Sequence, residues 1–183
     1  MRLFIAIQVS EEIRRALAEA QERLRSTGAD LKLVEPENIH LTMKFLGEVA
    51  EEKVGEISGA MERAISGRGA FHARVRGVGV FPDMRYIRVV WAGVSEGSER
   101  IVELQRSLDS ELQGLGFPRE RDFVPHVTLA RVRSPRGKEE LAREIRGMAG
   151  LEFGEMEVKS VDLVQSRLTP KGPVYSTLAE VGL

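Results

Sequence analysis

The chain reads IHLTM at residues 39–43 and PHVTL at residues 125–129, so the pattern His, apolar, Thr, apolar occurs once in each half of the sequence. Side chains alternate faces along a β-strand, which places His40 and Thr42 on one face and their apolar neighbours on the other. The second motif alternates in the same way. The repetition therefore predicts two similar strands whose polar faces can meet around one pocket.

Composition limits the class of protein. The 183 residues carry a net charge of −1, so no global field draws the chain to nucleic acids or acidic membranes, and any contact with RNA must be local. A hydrophobic fraction of 42% and a charged fraction of 30% are typical of a folded globular chain rather than a disordered one. Because the chain has no cysteine, disulfide scaffolds, thiol catalysis and cysteine–metal sites are excluded.

Helical and strand patterns interleave along the whole chain. Apolar residues at helical spacing predict helices over residues 13–24, 54–65, 101–115 and 141–148, the first with Ser10 as its N-cap. Stretches rich in β-formers predict strands over residues 3–9, 39–46, 71–80, 86–94, 124–132, 158–164 and 174–181. We therefore expect an α+β fold of two lobes, each a sheet with one face covered by helices, and a boundary between them near residues 93–98.

The residue types of the two motifs suit phosphoryl chemistry. Imidazole has an ordinary pKa of about 6.5, so one of His40 and His126 can act as a base while the other acts as an acid across one phosphorus. The hydroxyls of Thr42 and Thr128 can bind the non-bridging oxygens, where charge increases. The third histidine, His72, lies outside any such pattern and is expected on a solvent-facing strand. This chemistry requires no metal.

At these residues the sequence resembles the two-histidine phosphoesterase superfamily and, within it, the RNA 2′,3′-cyclic phosphodiesterases, historically called 2′-5′ RNA ligases. The first motif continues as HLTMKFLG at residues 40–47, and the second as HVTLAR at residues 126–131. RLFIAI at residues 2–7 resembles the family's opening strand, and PKGPVY at residues 170–175 resembles its closing segment. The resemblance covers nearly the whole chain.

The resemblance implies a fold and a reaction. It implies one bilobal domain over residues 1–183, with two pseudo-symmetric lobes around a central cleft. It also implies hydrolysis of an RNA 2′,3′-cyclic phosphate to a 2′-phosphomonoester, with His40 as proton donor and His126 as proton acceptor. The implied partner is RNA with a cyclic phosphate end, tRNA fragments included, and ATP-independent 2′-5′ ligation is open to the same site. No cofactor, metal, membrane or obligate protein partner is implied.

Arg131 follows the second motif and starts a basic stretch that also contains Arg133, Arg136 and Lys138. On a regular strand Arg131 would lie on the face opposite His126, so only a bulge, a bend or its long side chain can bring it to the cleft. The resemblance favours a role in binding the substrate phosphate, and a surface ion pair is the alternative.

Several other side chains near the motifs are less informative. Lys44 shares the parity of His40, so the cleft and the solvent are both open to it, whereas Phe45 is expected on the buried face. Arg119 and Arg121 suggest a solvated turn. The aromatic residues that could stack on bases are expected mostly in the core, and the one after a glycine-rich turn is a candidate for the cleft. These aromatic residues are Phe45, Phe81, Trp91, Phe123 and Tyr175.

Three rival functions remain open. A metal site is disfavoured because each motif supplies one histidine and no carboxylate at a ligand spacing. A phosphodiesterase acting on small cyclic nucleotides would use the same acid and base. A module that binds RNA ends without catalysis would keep the cleft, but binding alone does not require two titratable groups. The absence of a signal peptide or a long apolar segment leads us to expect a cytoplasmic protein.

Overall fold

Four helices lie where the apolar spacing predicts them in the computed structural model, which describes residues 1–183. They are α1 (Glu11–Arg25), α2 (Val54–Ile65), α3 (Ser98–Gln113) and α4 (Lys138–Gly147). The Ser10 hydroxyl accepts a hydrogen bond from the Ile13 amide at 3.3 Å, which confirms the predicted N-cap of α1. No helix of the structure is both long enough and apolar enough to cross a membrane.

Nine strands accompany the helices. They are β1 (Arg2–Gln8), β2 (Leu31–Leu33), β3 (His40–Glu48), β4 (Phe71–Asp83), β5 (Tyr86–Val94), β6 (His126–Val132), β7 (Glu152–Val158), β8 (Ser160–Thr169) and β9 (Gly172–Gly182). Each of the seven predicted strands overlaps an observed one, and the strand predicted over residues 158–164 covers part of β8 and only the last residue of β7. The sequence pattern did not reveal β2, which is only three residues long, or the separation of β7 from β8. The predicted α+β class is confirmed.

All strand pairs are antiparallel and form one sheet with the order β7-β4-β5-β6-β3-β1-β8-β9, and β2 pairs with β6. The order is pseudo-symmetric about the centre, because each motif strand, β3 or β6, begins a row of four strands. The two rows meet at one register pair, Leu41 opposite Val127, which is the middle residue of each motif. The two motifs therefore lie side by side on neighbouring strands.

The predicted lobe boundary near residues 93–98 is wrong. One row of strands combines β1 and β3 from the beginning of the chain with β8 and β9 from its end. The other row combines β4 to β7. Since β1 pairs with both β3 and β8, the chain enters the first row, leaves it and returns, and no single cut separates the lobes.

The helices cover one face of the sheet and leave the motif face open. One cluster of 40 buried apolar residues joins the helices to the sheet. Along β1, Leu3 and Ile5 belong to that core, whereas Phe4 and Ala6 point to the other face and pack with Val164 in a small second cluster. β1 is thus buried on both faces, and its outer face supports the cleft described next.

Candidate active site

Both motifs line one open cleft with a volume of about 690 Å³. His40 and Thr42 reach it from β3, and His126 and Thr128 reach it from β6. All four side chains are half-buried, and they alternate along their strands with Leu41 and Val127, which are fully buried, as the strand pattern predicts. The structure therefore brings the four predicted side chains together.

Both imidazoles are held in the same way. Nδ1 of His40 lies 2.6 Å from the carbonyl oxygen of Asn38, and Nδ1 of His126 lies 2.7 Å from that of Val124. A carbonyl only accepts, so Nδ1 carries the proton and donates it, which leaves Nε2 as the atom that gains or loses a proton. The partner is the residue two positions before the histidine in both cases. The sequence offers no signal for these backbone contacts.

The two Nε2 atoms differ in their surroundings. Nε2 of His40 lies 2.7 Å from the hydroxyl oxygen of Thr42, so the hydroxyl donates to the neutral ring or accepts from the protonated one. The second motif has no such bond, because the His126 ring makes its only hydrogen bond through Nδ1. The lone pair of His126 Nε2 is therefore free to take a proton from a molecule in the cleft.

Burial lowers the pKa of both histidines from the ordinary value of 6.5. For His40, the loss of water on burial lowers the pKa more than the hydrogen bond to the Asn38 carbonyl raises it, and the charge of Arg14 lowers the pKa further. For His126 burial is again the largest cause, and the charge of Arg131 adds to it. Burial therefore favours the neutral form of both rings, and an anion bound between them would favour protonation of one.

Aromatic rings from other strands of the sheet support each histidine. Phe4 stacks on the His40 ring with centroids 4.8 Å apart, and Tyr175 meets the same ring edge-on at 5.4 Å. On the other side Phe81 meets the His126 ring edge-on at 5.0 Å. These contacts restrict how the rings rotate. The sequence did not indicate Phe4, because the register between β1 and β3 is not visible in the pattern.

A β-bulge follows each motif threonine and reverses the face of the sheet on which the next side chains lie, so that they lie opposite to the predicted face. The register skips Met43 on β3 and Leu129 on β6, and both of these side chains are fully buried. Each bulge turns the following residues by one position, so that Phe45 and Arg131, three residues after their threonines, are both exposed and line the cleft. The bulge is the route by which Arg131 reaches the site.

Phe45 is therefore not buried as expected: 66% of its surface is exposed. Four of the five aromatic residues considered from sequence line the cleft instead of the core, and they are Phe45, Phe81, Phe123 and Tyr175. Trp91 is the exception. Its ring lies over Gly79, where an added Cβ would approach within 2.4 Å of the ring. The expectation of a mostly buried aromatic set is wrong because the open sheet face carries them.

Lys44 belongs to the lining of the cleft, but its ammonium is held in a buried ion pair and does not face solvent. Only 2% of its surface is exposed, and its ammonium donates to Asp109 of α3 at 2.5 Å and to the Pro118 carbonyl at 2.7 Å. The other Asp109 oxygen accepts from the Glu120 amide at 2.8 Å. This buried ion pair fixes the segment that precedes the second motif. Within that segment Arg119 and Arg121 are exposed, as expected.

No group of three or more His, Cys, Asp or Glu side chains in the structure is arranged to hold a metal ion. His72 lies on β4, is exposed, and is not among the residues that line the cleft. The charged chemistry of the site is thus carried by the two imidazoles and by cationic side chains on the cleft wall, with Glu35 and Glu120 as the carboxylates. Burial raises the pKa of Glu120, and the charge of Lys44 opposes that shift.

Comparison with known proteins agrees with this geometry. A sequence model of the family described as LigT like Phosphoesterase matches residues 7–91 and again residues 93–175, so that each match contains one motif. The RNA 2′,3′-cyclic phosphodiesterase of Methanothermobacter thermautotrophicus is 44% identical over 97% of this chain and 96% of its own length. That of Thermotoga maritima is 40% identical, over 98% and 94%.

Solved structures share the whole fold. TT0787 of Thermus thermophilus superimposes with a TM-score of 0.83 at 35% identity and covers 100% of this chain and 98% of its own. E. coli LigT, solved in complex with 3′-AMP, gives 0.78 at 28% identity, over 100% and 97%. The family expected from the two motifs is therefore confirmed, and the chain belongs to the LigT-like phosphoesterases.

Proposed function

We propose that this enzyme hydrolyses the 2′,3′-cyclic phosphate at the end of an RNA and leaves a 2′-phosphomonoester. The observation that carries the proposal is the single cleft that holds two imidazoles, each with Nδ1 bound to a carbonyl, so that Nε2 is the atom that exchanges a proton; this atom is free in His126 and bonded to the Thr42 hydroxyl in His40. Relatives at about 40% identity along the full chain carry the name of this activity.

The reaction follows from the two rings. A water oxygen forms a bond to phosphorus while its proton passes to Nε2 of His126, and the bond from phosphorus to the 3′ oxygen breaks as His40 protonates that oxygen. The lone pair of His126 Nε2, which has no partner in the protein, suits the base, and His40, whose Nε2 is bonded to Thr42, takes the role of the acid. The assignment of donor and acceptor agrees with the one that the resemblance implies.

The remaining predicted residues act on the phosphate. The hydroxyls of Thr42 and Thr128 donate to its non-bridging oxygens, and Arg131 adds a positive charge from the cleft wall. The charge of the bound ester favours the protonated form of His40 and so opposes the effect of burial on its pKa. Acid–base catalysis of this kind contributes about 10²- to 10⁴-fold in rate.

The natural partner that we propose is an RNA fragment with a cyclic phosphate end, such as a tRNA fragment. Joining the same end to a 5′-hydroxyl would give a 2′-5′ bond without ATP, because the cyclic ester supplies the energy. We place the reaction in the cytoplasm, since a chain without cysteine suits a reducing compartment.

The test is incubation of the enzyme with EDTA and an oligonucleotide that ends in a 2′,3′-cyclic phosphate, followed by phosphorus NMR of the product. We expect a 2′-phosphate, a rate that EDTA does not change, and a bell-shaped dependence of kcat/KM on pH. Replacing either catalytic histidine by Ala should lower kcat at least about 10²-fold, whereas His72→Ala should have no effect. A 3′-phosphate product, or near-normal turnover in either catalytic variant, would refute the proposal.

Two other functions are distinguished by the same assay. An enzyme for small cyclic nucleotides would hydrolyse a 2′,3′-cyclic mononucleotide at least as well as the oligonucleotide. A binding module would retain the oligonucleotide without turning it over.

A further inference from the structure

Two cations face each other across neighbouring strands on the cleft wall. Lys32 of β2 lies directly opposite Arg131 of β6 in the register, and both side chains line the cleft. Like charges at directly opposed positions of an antiparallel pair destabilise the sheet. An anion between the two would remove that repulsion.

No side chain of the protein neutralises this pair. None of the ion pairs of the structure, at distances up to 3.9 Å, includes Lys32 or Arg131. Arg74 on β4, in contrast, meets three carboxylates. Glu35 also lines the cleft but lies outside ion-pair distance of both cations. The two charges are therefore available to a ligand.

The pair lies beyond the two motifs along the sheet. Leu41, between the first His and Thr, is opposite Val127, whereas Lys32 is opposite Arg131 four residues further along β6. At about 3.3 Å per residue this is roughly 13 Å on a regular strand, and the bulge shortens it slightly. The Arg131 side chain still acts on His126, whose pKa it lowers. Lys32, on the next strand, is placed for a group further from the reacting phosphorus.

We infer that Lys32 binds a second phosphodiester group of the RNA, which lies next to the cyclic phosphate that Arg131 contacts and is distinct from it. The inference rests on the proposed function. Arg131 offers a planar fork of donors and Lys32 a compact charge, and both bind phosphate without reading the base. The second phosphate belongs either to the strand that ends in the cyclic phosphate or to a strand that brings a 5′-hydroxyl for joining.

The test compares substrates with and without that second phosphate. Lys32→Ala and Lys32→Glu are assayed on a 2′,3′-cyclic mononucleotide and on a trinucleotide with the same cyclic end. Lys159→Ala serves as the control, because Lys159 is an exposed lysine without an ion pair and lies outside the cleft lining. Joining of the cyclic mononucleotide to a 5′-hydroxyl nucleoside and to a 5′-hydroxyl trinucleotide forms the second arm.

The preference is the ratio of kcat/KM for the longer substrate to kcat/KM for the shorter one. In at least one arm this ratio should fall about tenfold in Lys32→Ala and further in Lys32→Glu, and it should stay constant in the control. The slope of log kcat/KM against log salt should become shallower by about 0.7, the value for one phosphate contact on a single strand. A loss confined to hydrolysis assigns the phosphate to the strand with the cyclic end, and a loss confined to joining assigns it to the other strand.

An unchanged preference in both arms, with normal hydrolysis by the unmodified enzyme, would overturn the inference and leave the proposed function intact. Failure of the unmodified enzyme to hydrolyse either cyclic substrate would overturn both.

Discussion

Replacing Lys44 by Met should destabilise the protein by about 3–5 kcal/mol, which is the usual cost of leaving one partner of a buried ion pair without its counter-charge. The side chains of Lys44 and Asp109 are only 3% and 5% exposed, so water cannot replace the lost bond at 2.5 Å. Met preserves most of the volume, so the loss reports on the charge rather than on a cavity. The total stability of a domain is about 5–15 kcal/mol, so the effect is large.

The assay is equilibrium unfolding in urea, followed by circular dichroism and compared at equal m-values. The exposed pair of Glu22 and Arg25, with side chains 68% and 65% exposed, provides the matched control. Arg25→Met should cost less than about 0.5 kcal/mol, because exposed pairs contribute little. The double variant Lys44→Met/Asp109→Leu should recover much of the loss, except for the Glu120 amide and the Pro118 carbonyl that it leaves without partners.

Lys44→Met should also lower kcat, because the ion pair fixes the segment that leads to the second motif. That segment includes the carbonyl that orients His126. Equal losses of stability in Lys44→Met and Arg25→Met would refute the reasoning. So would a double variant that is less stable than Lys44→Met alone.

Three further perturbations test other parts of the site. Arg131→Ala removes a charge that lowers the pKa of His126, so this pKa should rise and the acidic limb of the pH profile of kcat/KM should move to higher pH, as a titration of activity would detect. Gly79→Ala brings a methyl group within 2.4 Å of the Trp91 ring and should cost about 1–3 kcal/mol in urea unfolding, with a lower kcat, since that ring neighbours His126. Asn38→Ala should cost about 1–3 kcal/mol, because the buried amide donates to a carbonyl at 3.0 Å, yet kcat should change little, because the catalytic ring is held by the backbone oxygen of this residue.

The sequence predicted the parts of the fold that depend on local periodicity. Apolar spacing located all four helices, and alternation located the two motif strands with their His and Thr on one face. The pairing of strands distant in the chain was not predictable, because β1 and β8 carry no signal of their partners. For this reason the expected boundary between lobes failed, although the class of fold was confirmed.

The sequence pattern also could not predict on which face of the sheet the side chains after each threonine lie. The bulges at Met43 and Leu129 have ordinary buried apolar residues and no glycine, so nothing local marks them. One extra residue reverses the parity of those that follow. That reversal exposes Phe45, buries Lys44 and carries Arg131 to the cleft.

The central claim is that two histidines from distant parts of the chain act on one phosphorus, and nitrogen NMR of the three histidine rings tests it directly. In a titration with adenosine 2′-monophosphate, the Nε2 signals of His40 and His126 should shift together with a single Kd, and both pKa values should rise, because the anion stabilises the protonated rings. His72, on the exposed face of β4, should not respond. Shifts with two different affinities, or a response from only one ring of the cleft, would contradict the shared site.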